Sequence, residues 1–350
     1  MFRLLGGSYV LFQLVLLCLV PSSASAFEVK GTFIIADDKN ELSGLDCLDE
    51  SSPEGRLCMV VDDEASFSQF ATLSGDVLTA EKGTVELFKT EPEFGKQPDV
   101  QFGKASLACT GGVKKNGGAD GEAIAHAGRI FYVVGSHGCG RKNKKYSAQS
   151  FVLSRIEIGP DGSVVALDST YRLSEAIATN AKLAAAFGHD LPQEGMLPDA
   201  ATGTSIEAMT VLGTNLAIGF RSPATDKAYL LLVPIAQLFS PGGEFSSETV
   251  RVATFDFGPH VGFRDIEALP KDGSIVALIG PEGKPKPDGP YELRLISADL
   301  VLDTKARAKV PIPSDGSPEA IEVLDGTQVL VISDGAVQGG AQLVKFQSNK

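Results

Sequence analysis

Five stretches of this chain share one design, and an internal repeat constrains a fold more than any other sequence property. In each copy a small or polar residue leads into an apolar strand, and a turn then a second apolar strand with a polar end follow. The copies are SGLDCL with RLCMVVDDE (43–64), DGEAIAHAGRIFYVVGSHG (120–138), SIEAMTVLGTNLAIGFRSP (205–223), RDIEALPKDGSIVALIGPEG (264–283) and SPEAIEVLDGTQVLVISDG (317–335). The second strands are short runs of Val, Ile and Leu bounded by Gly, Pro or Asp, which is the signature of buried strands. A third strand follows most copies, as in FVLSRIEI (151–158), AYLLLVPI (228–235) and YELRLIS (291–297), and VRVATFDF (250–257) reads as a weaker fourth. Three or four antiparallel strands, recurring at roughly 50 to 85 residues, describe the blades of a propeller around a channel.

The expected fold is therefore an all-β propeller of five blades. The long gaps between the first three copies leave room for a sixth, degenerate one. FEVKGTFIIA (27–36) is expected to complete the last blade and so close the ring without an exposed edge. One segment departs from β: Leu173 to Phe187 is rich in alanine, with Ser174 as a cap and Gly188 as a stop. It predicts one helix, inserted between the second and third blades. The loop from His189 to Thr204 is expected to fold over one end of the ring, and the basic run from Arg141 to Lys145 reads as a solvated hairpin tip.

The first 26 residues stand apart. Arg3 is their only charge, an apolar run spans Leu11 to Val20, and Ala24 and Ala26 fill the small-residue positions of a cleavage site. This is the pattern of a secretory signal peptide (1–26), too short to span a bilayer. A single propeller domain (27–350) is expected to remain, exported to the periplasm or secreted. Four of the five cysteines stay with it: Cys47, Cys58, Cys109 and Cys139. An even number in an exported chain predicts disulfides. Cys47–Cys58 is the favoured pair, because the residues between them look like a hairpin turn, and Cys109–Cys139 is left. A four-cysteine zinc site would need C-x-x-C pairs, which are absent.

The formal charge of −13 becomes −14 without Arg3. Such acidity argues against nucleic acid and anionic membranes as partners, and is compatible with cations. No later stretch is long enough for a membrane span, and a monomer is expected.

The first strand of each blade lines a propeller's channel, so equivalent residues converge there. Glu122, Glu207, Glu267 and Glu319 each precede an alanine and align, with Gly44 in the first copy. Four carboxylates around one axis need compensation. Calcium is one candidate, a hard cation taking oxygen ligands; Arg221 and Arg264 are the other. The bland alternative is that each glutamate accepts backbone N–H groups of the next blade. At the ends of the second strands the copies align Asp62, Gly135, Arg221, Gly280 and Asp334, then Asp63, Ser136 and Ser222, then Glu64, His137 and Glu282. That mouth could hold an anion through Arg221 or a metal through the acids. No G-x-S-x-G, H-E-x-x-H, Walker or dinucleotide motif occurs. Ser136 and His137 are adjacent and would face opposite ways on a strand. His126 reads as packed and hydrogen-bonded, and His260, beside the Arg264 motif, is the better ligand-binding candidate.

These segments, with FDFGPHVGFRDIEALP (255–270), resemble a bacterial family known only as a domain of unknown function, over nearly the whole mature chain. Its members often carry Glu-Gly where this chain has Glu-Ala, so close backbone approach is not expected here. The family is distantly similar to the esterase-like phytase propellers, which implies a propeller and only weakly a hydrolase. Two functions follow as expectations. One is a module that binds a small anionic ligand or a protein partner at the channel mouth, with Arg221, Arg264, His137 and His260 as contacts. The other is a calcium-dependent hydrolase of phosphate or carboxylate esters, with Glu122, Glu207, Glu267, Glu319, Asp62, Asp63 and Asp334 as metal ligands.

Overall fold

Each of the five repeat copies builds one sheet in the computed structural model, which describes residues 27–36, 42–88, 91–98, 109, 111–113, 120–140, 145–187, 203–283 and 291–346. The first blade holds β1 (Glu28–Lys30), β2 (Leu42–Ser52), β3 (Gly55–Asp62), β4 (Phe67–Ser74) and β5 (Val77–Glu86). The second holds β6 (Gly121–Ala127), β7 (Ile130–Gly135), β8 (Leu153–Ile158) and β9 (Val164–Thr170). In the third are β10 (Ser205–Leu212), β11 (Asn215–Ser222), β12 (Ala228–Pro234) and β13 (Arg251–Phe255). β14 (Val261–Ala268), β15 (Ile275–Pro281), β16 (Glu292–Ile296) and β17 (Leu302–Lys309) make the fourth, and β18 (Ser317–Val323), β19 (Gln328–Asp334) and β20 (Gln342–Lys345) the last. Apart from β1, strands pair antiparallel in chain order within each sheet. The inner strands β2, β6, β10, β14 and β18 touch in succession, and β18 returns to β2, so the ring closes as a five-bladed propeller. The apolar faces of neighbouring blades pack on one another, as where Ile206 and Met209 meet Ala123 and Tyr132 in one buried cluster.

Closure differs from the expectation. The N-terminal strand pairs parallel with β5, on the outer edge of the first blade, and the last blade has three strands. The segment acts instead as a strap across the seam. Phe33 and Ile35 are buried with Leu45 and Val60 of the first blade and Leu330 and Ile332 of the last. Gln338 Oε1 accepts from Phe33 N at 2.7 Å, and Gln69 Oε1 from Ile34 N at 2.7 Å. The buried Gln69 and the half-buried Gln338 thereby meet backbone donors that a strand would have satisfied.

Cys47 and Cys58 lie directly opposite each other on β2 and β3 and form a disulfide, and Cys109 joins Cys139. The single expected helix is two short ones, α1 (Arg172–Ile177) and α2 (Ala181–Ala186). Asn180 makes the break, its side chain accepting from the amides of Lys182 and Leu183 as the cap of α2. Ser174 is buried inside α1 and caps nothing, while Thr170 Oγ1 accepts from Arg172 N ahead of it. The signal-peptide residues, Gly188, Arg141 to Lys144 and most of the loop from His189 lie outside the described residues. No helix among the described residues is long and apolar enough to cross a membrane.

Candidate functional site

A β-bulge at the head of every inner strand sets the site. The ladder slips by one residue after Leu42, Gly121, Ile206, Phe263 and Pro318, leaving Ser43, Glu122, Glu207, Arg264 and Glu319 as the extra residues. A bulge re-aims its extra side chain. Here it puts five equivalent residues on the channel at one level. The fourth blade therefore contributes Arg264, and Glu267 sits three residues further along. The Glu-Ala dipeptide at 267–268 imitates the repeat but is out of register with it. In the first blade the equivalent residue is Ser43, one before Gly44.

The ring alternates charge on one side. Arg264 is fully buried between the glutamates of its two neighbours. Its Nη1 lies 2.5 Å from Glu319 Oε1 and 3.4 Å from Glu207 Oε2, and Nη2 lies 3.4 Å from Tyr291 Oη and 3.2 Å from Pro281 O. Gly280 makes this seat: a methyl group there would stand 2.6 Å from Tyr291 Cε1 and 3.1 Å from Arg264 Cγ. Arg221 adds a second guanidinium, 2.9 Å from Glu207 Oε1, and also donates to the carbonyls of Glu282 and Gly283. Burial works against the charge on Arg264, and Glu319, Tyr291 and Glu207 more than restore it, holding its pKa above the ordinary value. Burial pushes the Glu319 carboxyl up to about 8 although Arg264 pulls the other way.

Glu122 completes the ring differently. It is 7% exposed, and among the described residues its carboxyl has no hydrogen-bond or ion-pair partner. Burial first, then the charges of Glu207, Asp120, Asp63 and Glu319, hold its pKa well above the carboxylate range. Those charges come from the first, third and last blades as well as from its own, as fits a side chain that the bulge turns into the channel. Ser136 Oγ donates to Asp120 beside it.

A second tier lies one turn of side chains deeper, three residues beyond the first: Asp46, Ala125, Thr210, Glu267 and Glu322. Thr210 Oγ1 accepts from Ala268 N at 3.0 Å, Glu267 Oε2 from Val323 N at 2.5 Å, and Glu322 Oε2 from Cys47 N at 3.0 Å. The three acceptors meet equivalent backbone amides of the next blade, so each staples one inner strand to its neighbour. Asp265 adds a staple to Ile321 N at 2.8 Å. Asp46 instead takes the His126 ring at 2.9 Å, and Arg56 reaches Glu322 at 2.6 Å across the seam. Burial opposes the charge on His126, but the hydrogen bond and charge of Asp46, with Asp49 and Glu322, raise it to about 9. Sequence reasoning missed Asp46, Arg56, Asp265, Tyr291 and Glu322; the shared offset of Asp46 and Glu322, three residues past the bulge, becomes visible once the bulge is placed.

The second-strand level is also shifted. Asp62 and Gly135 pair with the residue before the bulge, as do Phe220, Ile279 and Ser333. Asp63, Ser136, Arg221, Gly280 and Asp334 are thus the equivalent set. Asp62 Oδ1 accepts from the amides of Glu64 and Ala65 and shapes a turn. His137 is fully buried at φ 54° against Phe151, and burial lowers it to about 4, so its ring is neutral. His260 Nδ1 stands 3.0 Å from Glu282 Oε2, and Glu282 also accepts from Ser222 Oγ and Ala224 N. Among the described residues no three of His, Cys, Asp and Glu are grouped to hold a metal ion.

No protein-family model and no curated protein sequence matches the chain. Among solved structures it is similar to a candidate 6-phosphogluconolactonase from Bacteroides fragilis, at 11% identity over 84% of this chain and 77% of that one, with a TM-score of 0.35. A protein from Lactobacillus plantarum is similar at 13% identity over 88% and 85%, TM-score 0.36. YCF48 from Cyanidioschyzon merolae is similar at 12% identity over 87% and 95%, TM-score 0.33. At such distances these likenesses carry no argument about function, and the assignment as a propeller rests on the five sheets of this chain itself.

Proposed function

We propose that this chain is an exported, single-domain binding module that takes a small ligand or a partner's side chain at the mouth of its channel. The observation that supports this reading is Glu122, a buried carboxyl turned into the channel that the described residues leave without a partner. A carboxyl that lines a channel and meets no protein donor is a group that a ligand can reach. The arginines proposed as anion contacts, Arg221 and Arg264, are each committed to internal carboxylates. The ligand's charge therefore does not follow from them. The calcium-dependent hydrolase reading has less support. Of its metal ligands, Glu207 and Glu319 face guanidiniums and Glu267 accepts a backbone amide.

A thermal-shift screen of the chain from Phe27 onward, with Glu122→Gln in parallel, tests the proposal. The expected result is a ligand class that raises the melting temperature of the parent and not of the variant. Ligands that stabilise both equally would place binding elsewhere, and turnover of phosphate or carboxylate esters would favour the hydrolase.

A further inference from the structure

The ring of bulge residues is complete on one side and incomplete on the other. Going round the blades, it reads Ser43, Glu122, Glu207, Arg264, Glu319. Where the fourth blade offers Arg264, its guanidinium bridges the glutamates of the two flanking blades, Glu207 and Glu319. Where the first blade stands, also between two glutamates, the residue is Ser43. Its short side chain donates to Gly121 O at 2.5 Å and reaches neither Glu319 nor Glu122. Among the described residues Glu319 pairs with Arg264, and Glu122 pairs with no cation.

From this pseudo-symmetry we propose that the Ser43 side of the ring, between Glu122 and Glu319, binds the guanidinium or ammonium group of a small organic cation. The inference deepens the binding-module reading and rests on it. Arg264 is the internal precedent for the chemistry, a planar donor fork held by carboxylates of neighbouring blades. A ligand's guanidinium would stand to Glu122 and Glu319 as Arg264 stands to Glu207 and Glu319. Glu122 supplies the independent sign of a ligand, because it is 7% exposed, turned into the channel by its bulge, and without a partner among the described residues. The groups facing it are Glu207, Asp120, Asp63 and Glu319, all acidic, and each favours a cation at that place. The same surroundings raise the pKa of Glu122, and a bound cation should lower it, so binding should release protons. Affinity would then rise with pH. The chain's net charge of −13 draws cations toward the mouth before any contact forms.

Calorimetric titration of the chain from Phe27 onward with methylguanidinium and agmatine tests this, with methylurea as the neutral isostere and calcium and phosphate as separate arms. The expected result is binding of both cations, none of methylurea, and an observed heat that changes with the buffer's ionisation enthalpy as a proton leaves. Glu122→Gln should weaken binding at least about tenfold without lowering the melting temperature, since it removes a charge-assisted contact but no internal partner. Absence of cation binding, equal binding of methylurea, or unchanged affinity in Glu122→Gln would each overturn the inference. If calcium or phosphate binds instead, and Glu122→Gln weakens it, the inference fails while the binding-module reading stands. Ligands that bind without sensing Glu122 would sink both.

Discussion

Replacing Arg264 by methionine is expected to cost about 3–5 kcal/mol of folding stability, the range for removing one partner of a buried ion pair. The reason is local and specific. Arg264 is fully buried, Glu319 and Glu207 both face it, and Tyr291 stands over its guanidinium with the ring centroid 5.7 Å away. Methionine fills much of the volume but leaves two carboxyls facing each other in the channel. They must then either stay charged at close range or take up a proton. The loss should therefore be larger at alkaline pH than at acid pH. Adding Glu319→Gln to Arg264→Met should recover part of the loss, because the glutamine removes the charge that has lost its partner. Urea unfolding of both variants across pH reads the effect. A loss under about 1 kcal/mol, as for an exposed pair, would show that the guanidinium is solvated and available to ligands.

The second large effect is on pH dependence, and its sign is unusual. Glu122, Asp265 and Glu267 are held well above the carboxylate range, chiefly by burial, and Glu319 and Glu322 are pushed up to about 8. His126 is raised to about 9. A group whose folded pKa exceeds its unfolded one stabilises the fold most below the unfolded value, and that contribution is lost as pH rises through the folded one. Glu319 and Glu322 act from their ordinary 4.5 up to about 8, and His126 from 6.5 up to about 9. In both cases the folded chain keeps protons that the unfolded chain has released. Stability should therefore fall as pH rises from about 5 to about 9, with His126 alone worth about 3 kcal/mol over its window. His126→Gln should flatten the alkaline end of this decline. A urea midpoint that is level, or that rises toward alkaline pH, would contradict the account.

Most of the fold was legible in the residues, and most of the site's register was not. Runs such as FYVVG, LAIGF and IVALIG declare buried strands by composition, and the turns between them by Gly, Asp and Asn, so the blades could be counted. The bulges left no such mark. A bulge changes which residue faces the axis without changing the apolar pattern on either side. The alignment therefore followed the Glu-Ala dipeptide, which is right for Glu122, Glu207 and Glu319 and three residues off at Glu267. The same blindness shifted Asp62 and Gly135 by one against Arg221. Ring closure was misjudged because a segment of alternating character, Phe27 to Ala36, fits an edge strand equally well on either blade of the seam. What decided it was Gln69 and Gln338, polar side chains far away in sequence. Asn180 could have been read as a break within the alanine-rich segment, since asparagine caps helices far better than it extends them.

The ring of Ser43, Glu122, Glu207, Arg264 and Glu319 also explains why no familiar catalytic motif marks the site. Its residues come from five strands spread over the whole chain, and each is set by a bulge and not by a local sequence. The proposed binding at the mouth rests above all on Glu122, whose carboxyl has no partner among the described residues. A carbon-13 titration of the glutamate carboxyls, with the Glu122 resonance assigned by its loss in Glu122→Gln, tests that directly. The account predicts a titration midpoint raised above the ordinary 4.5 without ligand, and lowered when a guanidinium is added. A titration midpoint at or below the ordinary 4.5 would mean a solvated or internally paired Glu122, and would contradict the account.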